Sequence, residues 1–138
     1  MLFDSFDDLN WLAVLVATVV WFGFSALWYS FPPLSKAWRR AAEVDPSAGG
    51  MPLATILVPT FIGYFVTTVV IALLARAIGA ESVGDGLVLG IALGVAFGLV
   101  SALVVQLYEG KGGAYWLING VNAIVALSLV SAIVSVWD

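Results

Sequence analysis

The sequence of 138 residues contains no cysteine and no histidine. The absence of cysteine excludes disulfide bonds, and the absence of both residue types removes the commonest ligands of transition metals. We therefore expect no metal site and no cofactor. Charged residues make up only 10% of the chain, and the formal net charge of −4 does not favour binding to nucleic acid.

Hydrophobic residues, by contrast, make up 62% of the chain, which is far above their share in an ordinary soluble domain. They concentrate in four apolar segments, each long enough to cross a bilayer core, which takes about 20 residues. The sequence therefore predicts an all-α fold with a single transmembrane domain over residues 1–138. The four spans of this bundle are predicted near 9–30, 53–78, 86–108 and 114–137.

The third apolar segment carries a small residue at every fourth position. An interior glycine costs a soluble helix about 1 kcal/mol relative to alanine. In lipid, however, helices associate by close packing, and glycine lets two backbones approach. The row predicts a tight contact with a helix of the same chain or of another subunit, and in the second case Gly90→Leu or Gly94→Leu would disrupt assembly. The glycine row consists of Gly86, Gly90, Gly94, Gly98 and Ala102.

A short basic segment follows the first span. Pro32 and Pro33 are expected to end the first helix, and a short amphipathic helix with Ser35 as its N-cap is predicted to follow. This helix would lie at the membrane interface, with tryptophan at the headgroup level and bases towards anionic lipid. A simpler explanation is that the bases only set the topology. The predicted lipid-interface residues are Lys36, Trp38, Arg39 and Arg40.

The basic residues also predict the orientation of the chain. Four of the five lie in the first and third connections, on one side of the bundle, and only Arg76 lies towards the other side. Short loops rich in lysine and arginine stay cytoplasmic. We therefore expect an integral protein of the cell membrane, the inner or plasma membrane, with both chain ends outside. The other connections are predicted to be a turn at 45–50 and a short link at 79–85.

Ionisable residues are missing from the depth of all four spans. Proton-coupled carriers and pumps usually contain such a residue in the bundle interior. The chain also lacks a P-loop, an H-E-x-x-H motif and a pair of histidine and nucleophile. We therefore predict that the protein is not an enzyme.

Several polar and aromatic residues are expected near the cytoplasmic ends of the spans. Amide groups in lipid need hydrogen-bond partners, so these residues should converge. They would form either hydrogen bonds between helices or a polar vestibule for a lipid headgroup or a small solute. The predicted members are Trp28, Tyr29, Ser30, Gln106, Tyr108, Glu109, Asn119 and Asn122.

Two stretches resemble the recurring patterns of a bacterial membrane-protein family known as domain of unknown function 1761. The first is Ser-Ala-Leu-Trp-Tyr-Ser at 25–30 with a proline step and Lys-Ala-Trp at 36–38, and the second joins 107–111 to 116–120. Ala26 stands where we expect the family to have glycine. The resemblance covers nearly the whole chain and implies about four spans, but it implies no activity.

Two functions from different classes follow from these patterns. The first is a non-enzymatic membrane protein that self-associates, or acts as a partner subunit, through the glycine row. The alternative is a small-solute or ion channel or transporter that uses the polar vestibule. Membrane lipids are expected partners, and direct lipid binding by Trp38, Arg39 and Arg40 is a third hypothesis.

Overall fold

The computed structural model describes residues 2–42 and 53–137, and all regular structure within these ranges is helical. A short 3-10 helix at Leu2–Asp8 comes first, and the predicted turn at 45–50 lies outside the described residues. A π-helical segment at Gly94–Leu99 joins α4 to α5 to give one continuous third span. The α-helices are α1 (Trp11–Ser30), α2 (Pro32–Ala42), α3 (Leu53–Ala77), α4 (Val83–Leu93), α5 (Val100–Glu109) and α6 (Gly113–Val136).

Within residues 2–42 and 53–137, four helical spans are long and apolar enough to cross a membrane. This confirms the predicted all-α class and the four membrane-spanning helices. The spans lie close to the predicted segments, at Trp11–Ser30, Leu53–Ala77, Val83–Glu109 and Gly113–Val136.

The third span begins earlier than predicted, at Val83 rather than at Gly86. The hydroxyl of Ser82 accepts a hydrogen bond from the backbone N–H of Asp85 at 3.0 Å. The carboxylate of Asp85 in turn accepts one from the N–H of Glu81 at 3.2 Å. The Ser82 hydroxyl is therefore the N-cap of this helix, and Asp85 also binds the residue before the cap, so the two bonds fix the start of the helix. The predicted link at 79–85 was therefore too long.

The short helix α2 begins at the two prolines and not after them. Pro32 occupies its first position, where a missing N–H costs little and the fixed φ angle suits a helix. Ser35 lies in the first turn, and its N–H donates to the carbonyl of Phe31 at 2.8 Å. The prediction that Ser35 caps this helix was therefore wrong, because the prolines themselves start it.

The last helix, α6, is at the centre of the bundle. It contacts α1, α2, α3 and the third span, and 44% of its apolar window is buried, against 11% for the third span. The tightest apolar packing lies at the end of the bundle where α1 begins and α6 ends. The core there consists of Leu9, Val14, Ala17, Ile71, Ala72, Leu73, Ala75, Ala80, Leu127, Val130 and Val134.

The glycine row of the third span packs against α6 of the same chain. A Cβ atom built on Gly86 would lie 2.6 Å from the Cα of Ala132, and one built on Gly94 would lie 2.5 Å from the Cα of Ile124. Such separations leave no room for any side chain. From Gly86 to Gly94, each step of four residues along the third span matches a step of four back along α6, so the two helices run antiparallel.

The same contact continues towards the other end of both helices. A Cβ on Gly98 would overlap that of Ala123, and Gly120 of α6 is covered just as closely by the side chain of Leu99. Ala102, the last member of the predicted row, is half-buried. The four glycines of the row therefore contact α6 of the same chain, which is one of the two alternatives that the sequence left open, and self-association stays a prediction.

The π-helical segment lies in the middle of the glycine row. The N–H of Val100 bonds to the carbonyl of Val95, five residues back. In an α-helix a step of four overshoots one turn by about 40°, so the row winds round the helix. A π-helical turn contains more residues than an α-helical turn, so a step of four residues covers slightly less than one full turn there. The π segment, which the sequence pattern did not predict, thus keeps Gly98 facing α6.

This packing predicts opposite outcomes for two glycine-to-alanine substitutions. Gly90→Ala would push a Cβ atom into the backbone of Ser128, and we expect it to destabilise the fold by about 1–3 kcal/mol, as overpacking does. Gly23→Ala on α1 meets no atom within 4 Å and should be neutral or slightly stabilising, because alanine favours a helix. Thermal unfolding of each variant in mild detergent, followed by circular dichroism, measures the difference. Equal stability of the two variants would contradict the contact.

Candidate functional site

Helices α1 and α6 run antiparallel in one register along their whole length. Where α1 begins, the side-chain amide of Asn10 donates to the backbone carbonyl of Trp137 at 2.6 Å. Where α1 ends, the hydroxyl of Tyr29 donates to the side-chain carbonyl of Asn119 at 2.5 Å. This register places the polar groups at the end of α1 opposite those at the start of α6.

A second polar pair lies one turn deeper in the membrane. The amide of Asn122 donates to the hydroxyl of Ser25 at 3.5 Å, and both side chains are buried. We call Ser25, Tyr29, Asn119 and Asn122 the polar cluster. The spacing of three between the asparagines predicted their shared helix face. Ser25 was not predicted as a member, although its position four residues before Tyr29 was the available signal.

The five other predicted members of the vestibule do not join the polar cluster, and Trp28 is one of them because its indole N–H has no partner among the described residues. The amide of Gln106 donates to the backbone carbonyl of Lys111 at 2.7 Å, so it closes the turn after α5. Tyr108 is 90% exposed, and Glu109 and Ser30 are exposed as well. Polar side chains of two spans therefore meet here, and not of three as predicted, because the last turn of α5 presents its side chains away from α1.

The tight turn between α5 and α6 brings the start of α6 next to α2. Gly110 ends α5 with a φ angle of +67°, a left-handed conformation that favours glycine. Two residues later, the N–H of Gly112 donates to the backbone carbonyl of Ala41 at 3.2 Å. The end of α2 is thereby joined directly to the start of α6.

Helix α2 lies against the bundle with its apolar side inward. Leu34 and Ala37 are half-buried and Ala41 is buried. The half-buried ring of Trp38 meets the ring of Tyr29 edge to face, with centroids 5.8 Å apart. On the opposite side of the helix, the predicted lipid-interface bases Lys36, Arg39 and Arg40 are all exposed.

Two tryptophan N–H groups at this end of the bundle lack hydrogen-bond partners in the part of the chain that the structure describes. The Nε1 atoms of Trp28 and Trp38 are buried and have no hydrogen-bond partner within the described residues. An indole N–H can only donate, and a buried donor without a partner costs about 1–3 kcal/mol. The buried hydroxyl groups of Ser131 and Ser135, in the second half of α6, also lack a partner among the described residues, so unsatisfied groups occur towards both ends of the bundle.

The polar groups of this cluster are uncharged, and the bases of α2 lie at the same end of the bundle. The polar cluster consists of hydroxyl and amide groups, which donate and accept hydrogen bonds. Across residues 2–42 and 53–137, no group of three or more His, Cys, Asp or Glu side chains is placed to hold a metal ion. The exposed bases of α2 add positive charge beside the cluster.

Residues 12–135 match the family described as "Protein of unknown function (DUF1761)". The chain belongs to this family. The match confirms the resemblance seen in the two sequence stretches, and it includes the polar cluster, α2 and the glycine row of this DUF1761 protein. A search of curated proteins and a search of solved structures found no match.

The hydrogen bond between Tyr29 and Asn119 predicts a measurable coupling in this DUF1761 protein. Tyr29→Phe removes the donor and leaves the ring, so we expect a loss of about 0.6–2 kcal/mol, the usual worth of such bonds in lipid. A double-mutant cycle with Asn119→Ala should recover most of this loss as coupling energy. Tyr108→Phe is the matched control, because that side chain is 90% exposed, and it should change nothing. A coupling energy near zero would show that the pair does not hold α1 to α6.

Proposed function

We propose that this DUF1761 protein is a non-enzymatic membrane protein that binds anionic lipid headgroups through α2. The observation that carries the proposal is the sidedness of this helix. Its apolar side is held on the bundle by Trp38 and by the backbone bond at Ala41, so its three bases point away from the protein. A helix held in this way presents its charges at the membrane surface.

Charge complementarity supports an anionic partner. Basic residues beside a negatively charged leaflet contribute about 1 kcal/mol each to its attraction. Arginine also binds phosphate oxygens with two parallel hydrogen bonds, and Arg39 and Arg40 are adjacent.

The orientation predicted from the basic residues agrees with this role. The turn that contains Lys111 lies at the same end of the bundle as α2, as the bond between Gly112 and Ala41 requires. If the positive-inside rule holds for this chain, that end faces the cytoplasm, whose leaflet carries the anionic lipids. The simpler explanation is that these bases only set the topology, and the experiments below distinguish it from lipid binding.

Removal of single charges tests the proposal. Arg39→Gln or Arg40→Gln should lower the amount of anionic lipid that co-purifies by about fivefold, which corresponds to about 1 kcal/mol per base. Native mass spectrometry of the protein released from mild detergent measures the bound lipid. Arg76→Gln, which removes one charge from the end of α3, is the matched control.

The competing explanation predicts a different result in the same variants. If the bases only set the topology, the loss of Arg39 or Arg40 changes the fraction of inverted chains, and a reporter fused to the C-terminus detects this change. The lipid content of correctly inserted chains would then equal that of Arg76→Gln. That result would contradict the proposed function.

The two functions predicted first from the sequence receive less support from the geometry. Self-association stays a prediction, but it needs a surface other than the glycine row, which α6 covers. A native mass spectrum that contains only the monomer would contradict self-association. A channel would need a polar path, yet the polar cluster consists of groups paired with each other, and the groove beside it has a mainly apolar lining.

A further inference from the structure

An open groove lies at the bend between α1 and α2. Its volume is about 590 Å³, and its lining is almost entirely apolar. Leu27 is 75% exposed on one wall, and Phe31 is also exposed at the bend itself. We call it the elbow groove, and it is lined by Phe24, Leu27, Trp28, Ser30, Phe31 and Leu34.

The position of the elbow groove fixes its depth in the bilayer. Its α1 residues belong to the last two turns of a membrane span, and Leu34 belongs to the first turn of α2. Arg39 follows Leu34 by five residues, roughly 7–8 Å along the helix at 1.5 Å per residue. The groove thus lies at the boundary of acyl chains and headgroups, where an amphipathic helix buries its apolar side.

We propose that the elbow groove holds an acyl chain of an anionic glycerophospholipid whose phosphate lies against the exposed bases of α2. This inference rests on the proposed function and extends it. Attraction by the bases alone predicts a diffuse layer of exchanging lipids, whereas an occupied groove predicts one lipid with a defined chain position and slow release.

The shape of the groove favours an acyl chain over a protein helix. A second helix packs on a straight face along several turns, with small residues that let backbones approach. The elbow groove instead bends from one helix into the next and is lined by bulky side chains, among them Phe24, Leu27 and Phe31. A flexible hydrocarbon chain can follow such a bend, and the bilayer supplies it at this depth.

Hydrogen-bond acceptors beside the groove favour a headgroup that carries hydroxyl donors. Pro32 and Pro33 have no N–H, so they cannot donate to the carbonyls of Trp28 and Tyr29 four residues back. Of these two residues Trp28 lines the groove, as does Ser30, so a carbonyl without its usual intrahelical donor belongs to a groove residue. A phosphate with glycerol hydroxyls, as in phosphatidylglycerol, offers both the negative charge and the donors.

The test fills the groove with a larger side chain and compares the binding of lipids with long and short acyl chains. Delipidated protein in mild detergent is titrated with dioleoyl phosphatidylglycerol, dihexanoyl phosphatidylglycerol or inorganic phosphate, and native mass spectrometry counts the bound molecules. Leu27→Trp should weaken binding of the dioleoyl lipid at least fivefold. Leu12→Trp is the matched control, since Leu12 is an exposed residue of α1 outside the groove, and it should bind as the wild type does.

Comparison of the three ligands separates the contribution of the acyl chains to binding from that of the headgroup. The inference predicts one dioleoyl lipid bound firmly, weaker binding of the dihexanoyl lipid, and weakest binding of phosphate. Equal binding of the dioleoyl lipid by Leu27→Trp and Leu12→Trp would overturn the elbow groove as a chain site. Unchanged binding by Arg39→Gln/Arg40→Gln, together with a loss in Leu27→Trp, would instead overturn the headgroup proposal and the anionic part of this inference.

Discussion

The bundle depends on direct contact between the backbones of two helices. In lipid there is no gain from hiding apolar side chains from water, so helices are held by close packing and by hydrogen bonds. The glycine row brings the third span against α6 so closely that a single Cβ atom at Gly90 does not fit. Because α6 also contacts α1, α2 and α3, this contact completes the set of helices around one central helix.

The two ends of the bundle are built differently. At one end, the core is apolar and tightly packed, with Val14 and Leu73 almost completely buried. At the other end, α1 and α6 are joined by hydrogen bonds between polar side chains, and α2 lies across them with its bases outward. The second end combines exposed positive charge with an apolar groove, and these are the two features on which the proposed lipid binding rests.

Much of the fold could be predicted from the sequence, because length and apolarity determine spans almost directly. The sidedness of α2 and the shared face of Asn119 and Asn122 also followed from helical spacing. The partner of the glycine row did not, because a row of small residues fits a helix of the same chain and one of another subunit equally well. The vestibule was predicted too large because the sequence shows that Gln106 needs a partner but not that the adjacent turn supplies one.

The most direct test of the central contact uses the absence of cysteine from the chain. A Cβ on Gly98 would meet chiefly the Cβ of Ala123, and disulfides form between Cβ atoms about 3.5–4.5 Å apart, so a small relaxation suits the bond. Oxidation of Gly98→Cys/Ala123→Cys in membranes should give a disulfide within one chain, seen on a non-reducing gel as a monomer whose two thiols no longer react with a maleimide label. Gly63→Cys/Ala123→Cys, with Gly63 in open space, should not cross-link. A covalent dimer without the intrachain bond would show that the glycine row faces another subunit.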